Sequence, residues 1–91
     1  MLLVMYDIQQ DKLRAQFSKF LKQFGRRIQY SVFEIKNSRR IIELIKKEIE
    51  IQFNKSFSQG DSVLIHDIPD SAEILRFGYP LNEETDLLIF E

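Results

Sequence analysis

The chain begins with an almost unbroken apolar run, MLLVMY, that ends on a single carboxylate, Asp7. A short apolar run containing Val and Tyr is typical of a central strand that is buried on both faces. Asp is common where a turn begins or a helix is capped, but Asp11 lies closer to the next helical pattern and is the better cap. Asp7 therefore has no obvious structural task, and its presence calls for a chemical explanation.

Two segments have the apolar spacing of amphipathic helices. The first runs from Asp11 to Phe24, and Gly25 stands where a left-handed C-terminal cap belongs. The second is capped by Ser38 and runs to about Phe53. The expected buried positions are Leu13, Phe17, Phe20, Leu21 and Phe24 in the first helix, and Ile41, Leu44, Ile45, Ile49 and Phe53 in the second.

Strand-forming residues fill the segments between and after these helices. In RRIQYSVFEIK the apolar positions switch parity, which predicts a bulge or a tight turn near Tyr30 and Ser31. DSVLIHDI is typical of a strand stopped by Pro69, and LLIF, near the C-terminus, of a last strand. This order favours an α+β fold, a ferredoxin-like βαββαβ sandwich with an extra C-terminal strand, in one domain spanning residues 1–91. Because a lone terminal strand needs a sheet edge, the segment from about residue 80 onwards is expected to pair with a second protomer in a homodimer.

Composition excludes several classes of site. The 91 residues include no cysteine, so disulfides and thiolate zinc sites are excluded, and a reducing cytoplasm is the expected location. No apolar run approaches the length of a membrane span. The N-terminal run lacks the basic flank and cleavage site of a signal peptide, so no membrane association is expected.

The net charge of -1 conceals a division along the chain. Residues 1–55 carry twelve Lys/Arg and six Asp/Glu, whereas residues 56–91 carry one Lys/Arg and eight Asp/Glu. Such asymmetry is a hint that the basic part binds a polyanion. On a helical wheel Lys12, Lys19 and Lys22 fall together opposite the phenylalanines, with Arg14 at the boundary, although a solvated helix face would give the same pattern.

Candidate catalytic groups are few. The sequence has no glycine-rich phosphate loop and no histidine cluster, and His66 alone cannot form a triad. Asp7 is the strongest candidate, because a carboxylate at the end of a rigid strand can hold Mg²⁺ through one or two direct bonds and waters. One carboxylate makes a poor site, but two copies of Asp7 on a two-fold axis could share one ion and a phosphate, which would support phosphodiester cleavage.

Three segments carry a specific resemblance: VMYDI, then KLRAQFSKFLKQFGRRIQYSVFEI, then GDSVLIHDI. In this order and spacing they resemble the CRISPR-associated endoribonucleases of the adaptation, or spacer acquisition, stage, which are the small partners of the CRISPR integrase. The resemblance spans essentially the whole chain. It implies a ferredoxin-like homodimer whose last strand crosses to the partner's sheet, and it implies that Asp7 is a ligand of a catalytic Mg²⁺ shared at the dimer interface.

The resemblance also implies roles for other residues. Tyr6, Ser31 and Phe33 would support the site around Asp7. The residues expected to contact nucleic acid, largely through backbone phosphates, are Lys12, Arg14, Lys19, Lys22, Arg26, Arg27, Arg39 and Arg40.

Two functions of different classes follow from the resemblance, and the sequence does not choose between them. One is a metal-dependent endonuclease acting on RNA or DNA. The other is a non-catalytic bridge between two integrase dimers, which supports the double-stranded DNA to be inserted as a new spacer. Alternatives are a ribonuclease toxin of related architecture and a regulatory module that binds a small ligand, although the latter leaves the charge division unexplained.

Overall fold

The computed structural model describes residues 1–78. Within them, four strands and two α-helices follow the order β1 (Leu2–Asp7), α1 (Asp11–Leu21), β2 (Gly25–Gln29), β3 (Val32–Ile35), α2 (Arg39–Glu48) and β4 (Ser62–Asp67). The sheet order is β2-β3-β1-β4, and each pairing is antiparallel. The predicted ferredoxin-like α+β fold is confirmed. The expected last strand, LLIF, and its pairing with a second protomer lie outside the described residues.

The hydrophobic core lies between the sheet and the two helices. Alternate residues of β1 point into it, and the most apolar of these, Leu2 and Val4, are almost completely buried. Phe17 of α1 is also fully buried, and its ring meets the ring of Phe53 edge-on with centroids 5.0 Å apart. Aromatic pairs in this geometry add about 0.5–1.5 kcal/mol to the area that they bury. The predicted apolar stripe of α1 therefore forms the centre of the core.

Only one face of β1 is buried, so the prediction of a strand buried on both faces is wrong for the described chain. Leu3 and Met5 are half-buried, and Asp7 is exposed. The strand register places on the same face Val32 and Glu34 of β3, and Ser62, Leu64 and His66 of β4. We call this surface the open face. Its apolar residues explain why β1 has an unbroken apolar run although both helices cover the opposite face.

The predicted N-terminal cap of α1 is wrong by one residue. Gln10 is the N-cap and makes no side-chain capping bond, whereas Asp11 is the first residue of the helix. The Asp11 carboxylate instead binds the guanidinium of Arg14, three residues later. Asp11 therefore contributes a negative charge to the first turn of α1, where it interacts favourably with the helix dipole, instead of capping the helix.

Gly25 does not form the predicted left-handed cap. α1 ends at Leu21 with a right-handed conformation at Lys22, and Gly25 is the first residue of β2. A Cβ atom at Gly25 would lie 2.1 Å from the backbone oxygen of Glu34. The glycine is therefore required by the close approach of two strands rather than by a positive φ angle.

The second helix agrees with prediction at its start and differs along its length. Ser38 is the N-cap, and its side chain accepts a hydrogen bond from the Ile41 backbone N–H. The α-helix ends at Glu48, and the chain continues to Phe53 as a wider helical turn. Leu44, predicted to be buried, is 44% exposed. The stripe of the second helix is thus narrower than expected.

The predicted irregularity near Tyr30 is confirmed. The register between β2 and β3 shifts between Arg27 and Gln29, and Tyr30 and Ser31 form the turn that follows. A bulge changes which face the next side chains occupy, which explains the parity switch in the sequence.

Candidate metal and nucleic-acid site

Asp7 is the last residue of β1, and its exposed side chain lies at one end of the open face. Its Oδ1 atom accepts a hydrogen bond from Nε2 of Gln9 at 3.0 Å. Its Cα atom is paired with that of Ser62 in the edge strand β4. Asp7 thus combines a backbone fixed by the sheet with a carboxylate open to solvent, as the sequence predicts for a metal ligand.

The loop that follows Asp7 is held by Arg14. One guanidinium nitrogen, Nη1, donates to the backbone oxygen of Ile8 at 2.8 Å and to that of Gln9 at 3.4 Å, while Nη2 binds Asp11. The hydrogen bond to Asp11 raises the pKa of Arg14 above its ordinary value, so the guanidinium stays charged. The structure therefore places Arg14, a predicted nucleic-acid ligand, as a clamp on the loop between β1 and α1.

The same loop is held from its other side by Asp61. The carboxylate of Asp61 accepts hydrogen bonds from the backbone N–H of Gln9 at 2.8 Å and from the backbone N–H of Ser58 at 2.8 Å. The Ser58 hydroxyl donates a third bond at 3.1 Å. These bonds lower the pKa of Asp61, with the Ser58 N–H as the largest cause and the Gln9 N–H next.

The three residues predicted to support the site, Tyr6, Ser31 and Phe33, contact one another near the end of β1, and Tyr6 and Phe33 face the core. Tyr6 is 6% exposed, with its ring edge-on to Phe17 at 5.1 Å and tilted against Phe33 at 6.3 Å. Its backbone N–H donates to the oxygen of Ser31 at 3.1 Å. Tyr6 and Phe33 are thus packed in the core, and the bond to Ser31 joins the end of β1 to the turn between β2 and β3.

Arg27 faces the helices rather than the open face. Its guanidinium donates to the Ser18 hydroxyl of α1 and lies over the ring of Phe33, 5.5 Å from the centroid. This is a cation–π arrangement. Arg27 thereby links β2 to α1.

A groove between α1 and β2 is lined by four of the basic residues that were predicted to contact nucleic acid. Among the described residues, it is lined by Tyr6, Asp11, Arg14, Ala15, Ser18, Lys19, Lys22, Arg27 and Tyr30. Four of these nine residues are cationic at neutral pH, against one carboxylate. Its volume is about 590 Å³. The groove is thus a positive surface at the Asp7 end of the sheet, but on the helix-covered side.

The remaining basic residues lie elsewhere. Lys12 is exposed in the first turn of α1, and Arg26 forms an ion pair with Glu34 at 3.3 Å. Arg39 and Arg40 begin α2, just beyond the end of β3 that pairs with Leu2. They are thus at the end of the sheet opposite Asp7, and the predicted contacts do not form one continuous patch.

A single chain offers one carboxylate for a metal ion at this site. Within residues 1–78, no group of three or more His, Asp or Glu side chains could hold such an ion. Mg²⁺ commonly binds through one or two carboxylates, with waters and substrate phosphates completing the shell. Asp7 fits that type of site if a second copy supplies another carboxylate, since its Oδ2 atom lies outside the Gln9 bond.

The comparisons with known proteins agree on one family. The family model of the CRISPR-associated protein Cas2 matches residues 1–73. The chain belongs to the Cas2 family. A CRISPR-associated endoribonuclease Cas2 of Thermus thermophilus is 37% identical over 71 residues, which cover 78% of this chain and 72% of that protein. A CRISPR-associated endonuclease Cas2 of the same species is 31% identical over 80 residues, covering 88% and 84%.

Solved structures support the same fold. A hypothetical protein from Thermus thermophilus has a TM-score of 0.69 at 27% identity, covering 88% of this chain and 95% of that one. The Cas2 structure from Streptococcus pyogenes has a TM-score of 0.64 at 23% identity, covering 82% and 98%. None of the helices described in residues 1–78 has the length and apolar character that crossing a membrane requires.

Sequence reasoning missed two polar residues of this site, Gln9 and Asp61. The sequence does contain a signal for the turn, because Gly followed by Asp is typical of turns. In the structure Gly60 has a φ of +97°, and the Asp61 N–H donates to Ser58 O in this turn. Nothing in the sequence indicated that this turn meets Gln9, which lies 52 residues away along the chain.

Proposed function

We propose that this chain is a CRISPR adaptation protein that acts in the cytoplasm as a homodimer, with Asp7 as its metal ligand. The exposed Asp7 carboxylate, at the end of an open face that also carries four apolar side chains, is the observation that carries the proposal. Burying that face against a second copy would remove Leu3, Met5, Val32 and Leu64 from water. It would also bring two Asp7 carboxylates to one interface.

The C-terminal end of the described chain supports the same arrangement. Arg76 contacts Glu34 of the open face at 3.4 Å, so residues around it lie beside this face. Leu75 and Phe77 are 67% and 90% exposed. Exposed apolar residues beside an open sheet face favour a role in pairing with the partner protomer.

The metal-dependent reaction would be hydrolysis of a phosphodiester bond in RNA or DNA. When bound, Mg²⁺ would supply Lewis acidity at a phosphate oxygen or an activated water. Asp7 would hold the ion, and Tyr6, Ser31 and Phe33 would fix the strand end from which Asp7 projects. Arg14 would keep the following loop in place.

The duplex-binding role rests on the groove beside α1. In this proposal Lys19 and Lys22, which are exposed at the C-terminal end of α1 and line the groove, make its main phosphate contacts. Lys12, Arg26, Arg39 and Arg40 would then extend the contacts towards both ends of the sheet. Such contacts are independent of base sequence and sensitive to salt. The bridge between two integrase dimers would present this surface to the spacer DNA.

The endonuclease and bridge functions are distinguished by Asp7→Asn. This variant keeps the size of the side chain and its acceptor for Gln9 but removes the negative charge. We expect Mg²⁺-dependent cleavage of RNA and DNA to fall by at least tenfold, because the ion loses its anionic ligand. Asp67→Asn, at the far end of β4, is the matched control and should cleave as the wild type does.

Integration of a short duplex into a CRISPR repeat by purified integrase tests the bridge function. We expect Asp7→Asn to support integration as the wild type does, because bridging needs shape and basic charge rather than a metal. Failed integration by a folded, DNA-binding variant would contradict the bridge and assign Asp7 to the adaptation chemistry itself. Unchanged cleavage by the variant would contradict the metal role.

Charge reversal tests the duplex-binding surface. Lys19→Glu combined with Lys22→Glu should weaken duplex binding and reduce the slope of log affinity against log salt by about 2, since each lost phosphate contact contributes about 0.9. The control is the same double change at Lys46 and Lys47 in the last turn of α2, which alters net charge equally. Equal weakening by both pairs would show that only net charge matters.

The toxin alternative predicts a different outcome. A ribonuclease toxin would arrest growth when expressed alone and would have no requirement for the integrase. The match of residues 1–73 to the Cas2 family favours the adaptation role.

A further inference from the structure

Asp61 immediately precedes β4, on a turn closed by Gly60, and both of its carboxylate oxygens accept hydrogen bonds. Oδ1 accepts the backbone N–H of Gln9, and Oδ2 accepts both the N–H and the hydroxyl of Ser58. The Ser58 bonds fix the carboxylate to its own turn. Because the same carboxylate also accepts the Gln9 N–H, it holds the loop after β1 in a fixed position relative to this turn.

Gln9 makes the next connection, to Asp7. Its backbone N–H is held by Asp61, its backbone oxygen receives a guanidinium N–H from Arg14 at 3.4 Å, and its Nε2 donates to Asp7 Oδ1 at 3.0 Å. The peptide groups of Gln9 are therefore held on both sides. The Gln9 side-chain amide that binds Asp7 therefore extends from a backbone whose position is fixed.

The Asp7 side chain is exposed, so packing does not select its rotamer. A freely rotating carboxylate must be ordered when it binds a metal ion, and that ordering weakens the affinity. Groups that hydrogen-bond a ligand and fix its orientation raise the affinity, and their loss typically costs about 10–100-fold. A hydrogen bond to Oδ1 leaves Oδ2 as the oxygen directed away from Gln9.

We propose that Asp61 is a positioning residue that acts through Gln9 to hold the Asp7 carboxylate in its metal-binding orientation. The inference rests on the proposed role of Asp7 as a metal ligand. Asp61 itself contacts neither the metal nor the substrate in this arrangement. Its part is to fix Gln9, and Gln9 in turn holds one oxygen of Asp7.

The test is a titration of the full-length protein with Mn²⁺ as the probe metal, with bound and free ion measured by electron paramagnetic resonance. We expect Gln9→Ala and Asp61→Ala each to weaken Mn²⁺ binding by about tenfold. Asp61→Asn retains one acceptor oxygen for the Gln9 N–H and should give a smaller loss. Asp67→Ala is the control, because Asp67 is an exposed carboxylate at the far end of β4 that accepts a hydrogen bond from Asn37 at 2.9 Å.

The double variant Gln9→Ala with Asp61→Ala separates positioning from a general structural effect. If Asp61 acts through Gln9, the double variant binds Mn²⁺ no more weakly than Gln9→Ala alone, because the two losses interrupt one connection. Losses that add would contradict the proposal, as would unchanged affinity in Asp61→Ala. If Asp61→Ala fails to fold, Gln9→Ala decides, since wild-type affinity in that variant excludes the connection.

Failure of the proposed function gives a different result in the same titration. The wild type would then bind Mn²⁺ no better than Asp7→Ala, and the positioning role would be overturned along with the metal site. If binding depends on Asp7 but not on Asp61 or Gln9, only the positioning role is overturned.

Discussion

The two faces of the sheet use similar apolar residues for different purposes. On the helix side, Val4 and Phe17 are completely buried, and the buried hydroxyl of Ser18 accepts a hydrogen bond from Arg27. On the open face, Leu3 and Met5 of the same strand are half-buried, and the row ends at the exposed Asp7. The helix-covered face forms the hydrophobic core of one chain. The open face instead places partly exposed apolar residues beside the Asp7 carboxylate.

In the proposed homodimer, alternation along one strand would serve two partners. Leu2, Val4 and Tyr6 meet the helices of their own chain, while Leu3 and Met5 remain for another surface. A strand whose inner residues alone were apolar would fold as well. We therefore expect the apolar residues on the outer face of β1 to contribute to the proposed homodimer in addition to their partial burial within one chain.

The largest effect is expected on the helix side. Phe17→Ala removes a ring that contacts Tyr6, Phe20 and Phe53, and it leaves a cavity in the centre of the core. Its free energy of unfolding should fall by about 3–5 kcal/mol in urea denaturation. Phe77→Ala, which truncates a ring that is 90% exposed, should change the free energy of unfolding of the monomer by about 0.5 kcal/mol or less. Similar losses in the two variants would contradict the assignment of Phe17 to the core of one chain.

The core was also the part that sequence could predict best. The helical spacing of Leu13, Phe17 and Leu21 identified buried residues because a period of 3.6 is a property of the local chain. Gly25 shows the limit of such reasoning, because its requirement comes from the carbonyl oxygen of Glu34 on a neighbouring strand. The sequence shows a glycine at this position, but the strand contact that requires it is seen only in the structure.

The same limit applies to the candidate site. Asp7 could be predicted, because an acid at the end of an apolar strand is anomalous within its own segment. Arg14 was predicted to contact nucleic acid, but its hydrogen bonds to Ile8 and Gln9 depend on how α1 is placed over the loop. Asp61 was missed because its partner Gln9 is distant in sequence. Residues that position a site through tertiary contacts leave little local signal.

An intermediate effect is expected on the open face. Leu64 is 64% exposed, so Leu64→Asp should change the free energy of unfolding of a monomer by about 0.5 kcal/mol or less. In the proposed homodimer it would place a charge at the apolar interface, so we expect analytical ultracentrifugation to show a monomer at concentrations where the wild type is a dimer. Leu44→Asp is the control, because Leu44 is a partly exposed leucine on α2. Dimers in both variants would exclude the open face as the interface.

The smallest effect is expected from protonation of Asp61, which joins β4 to the loop after β1. The hydrogen bonds from Ser58 and Gln9 hold the pKa of Asp61 in the folded chain below its ordinary value of 3.8. The carboxylate therefore stabilises the fold fully above that ordinary value, and the contribution is lost as pH falls through the lower folded pKa. Urea midpoints of the wild type and Asp61→Asn should differ by a constant amount between about pH 5 and 8 and converge in stronger acid. A difference that changes between about pH 5 and 8 would mean that another group controls this connection, and the loop beside Asp7 would then respond to physiological pH.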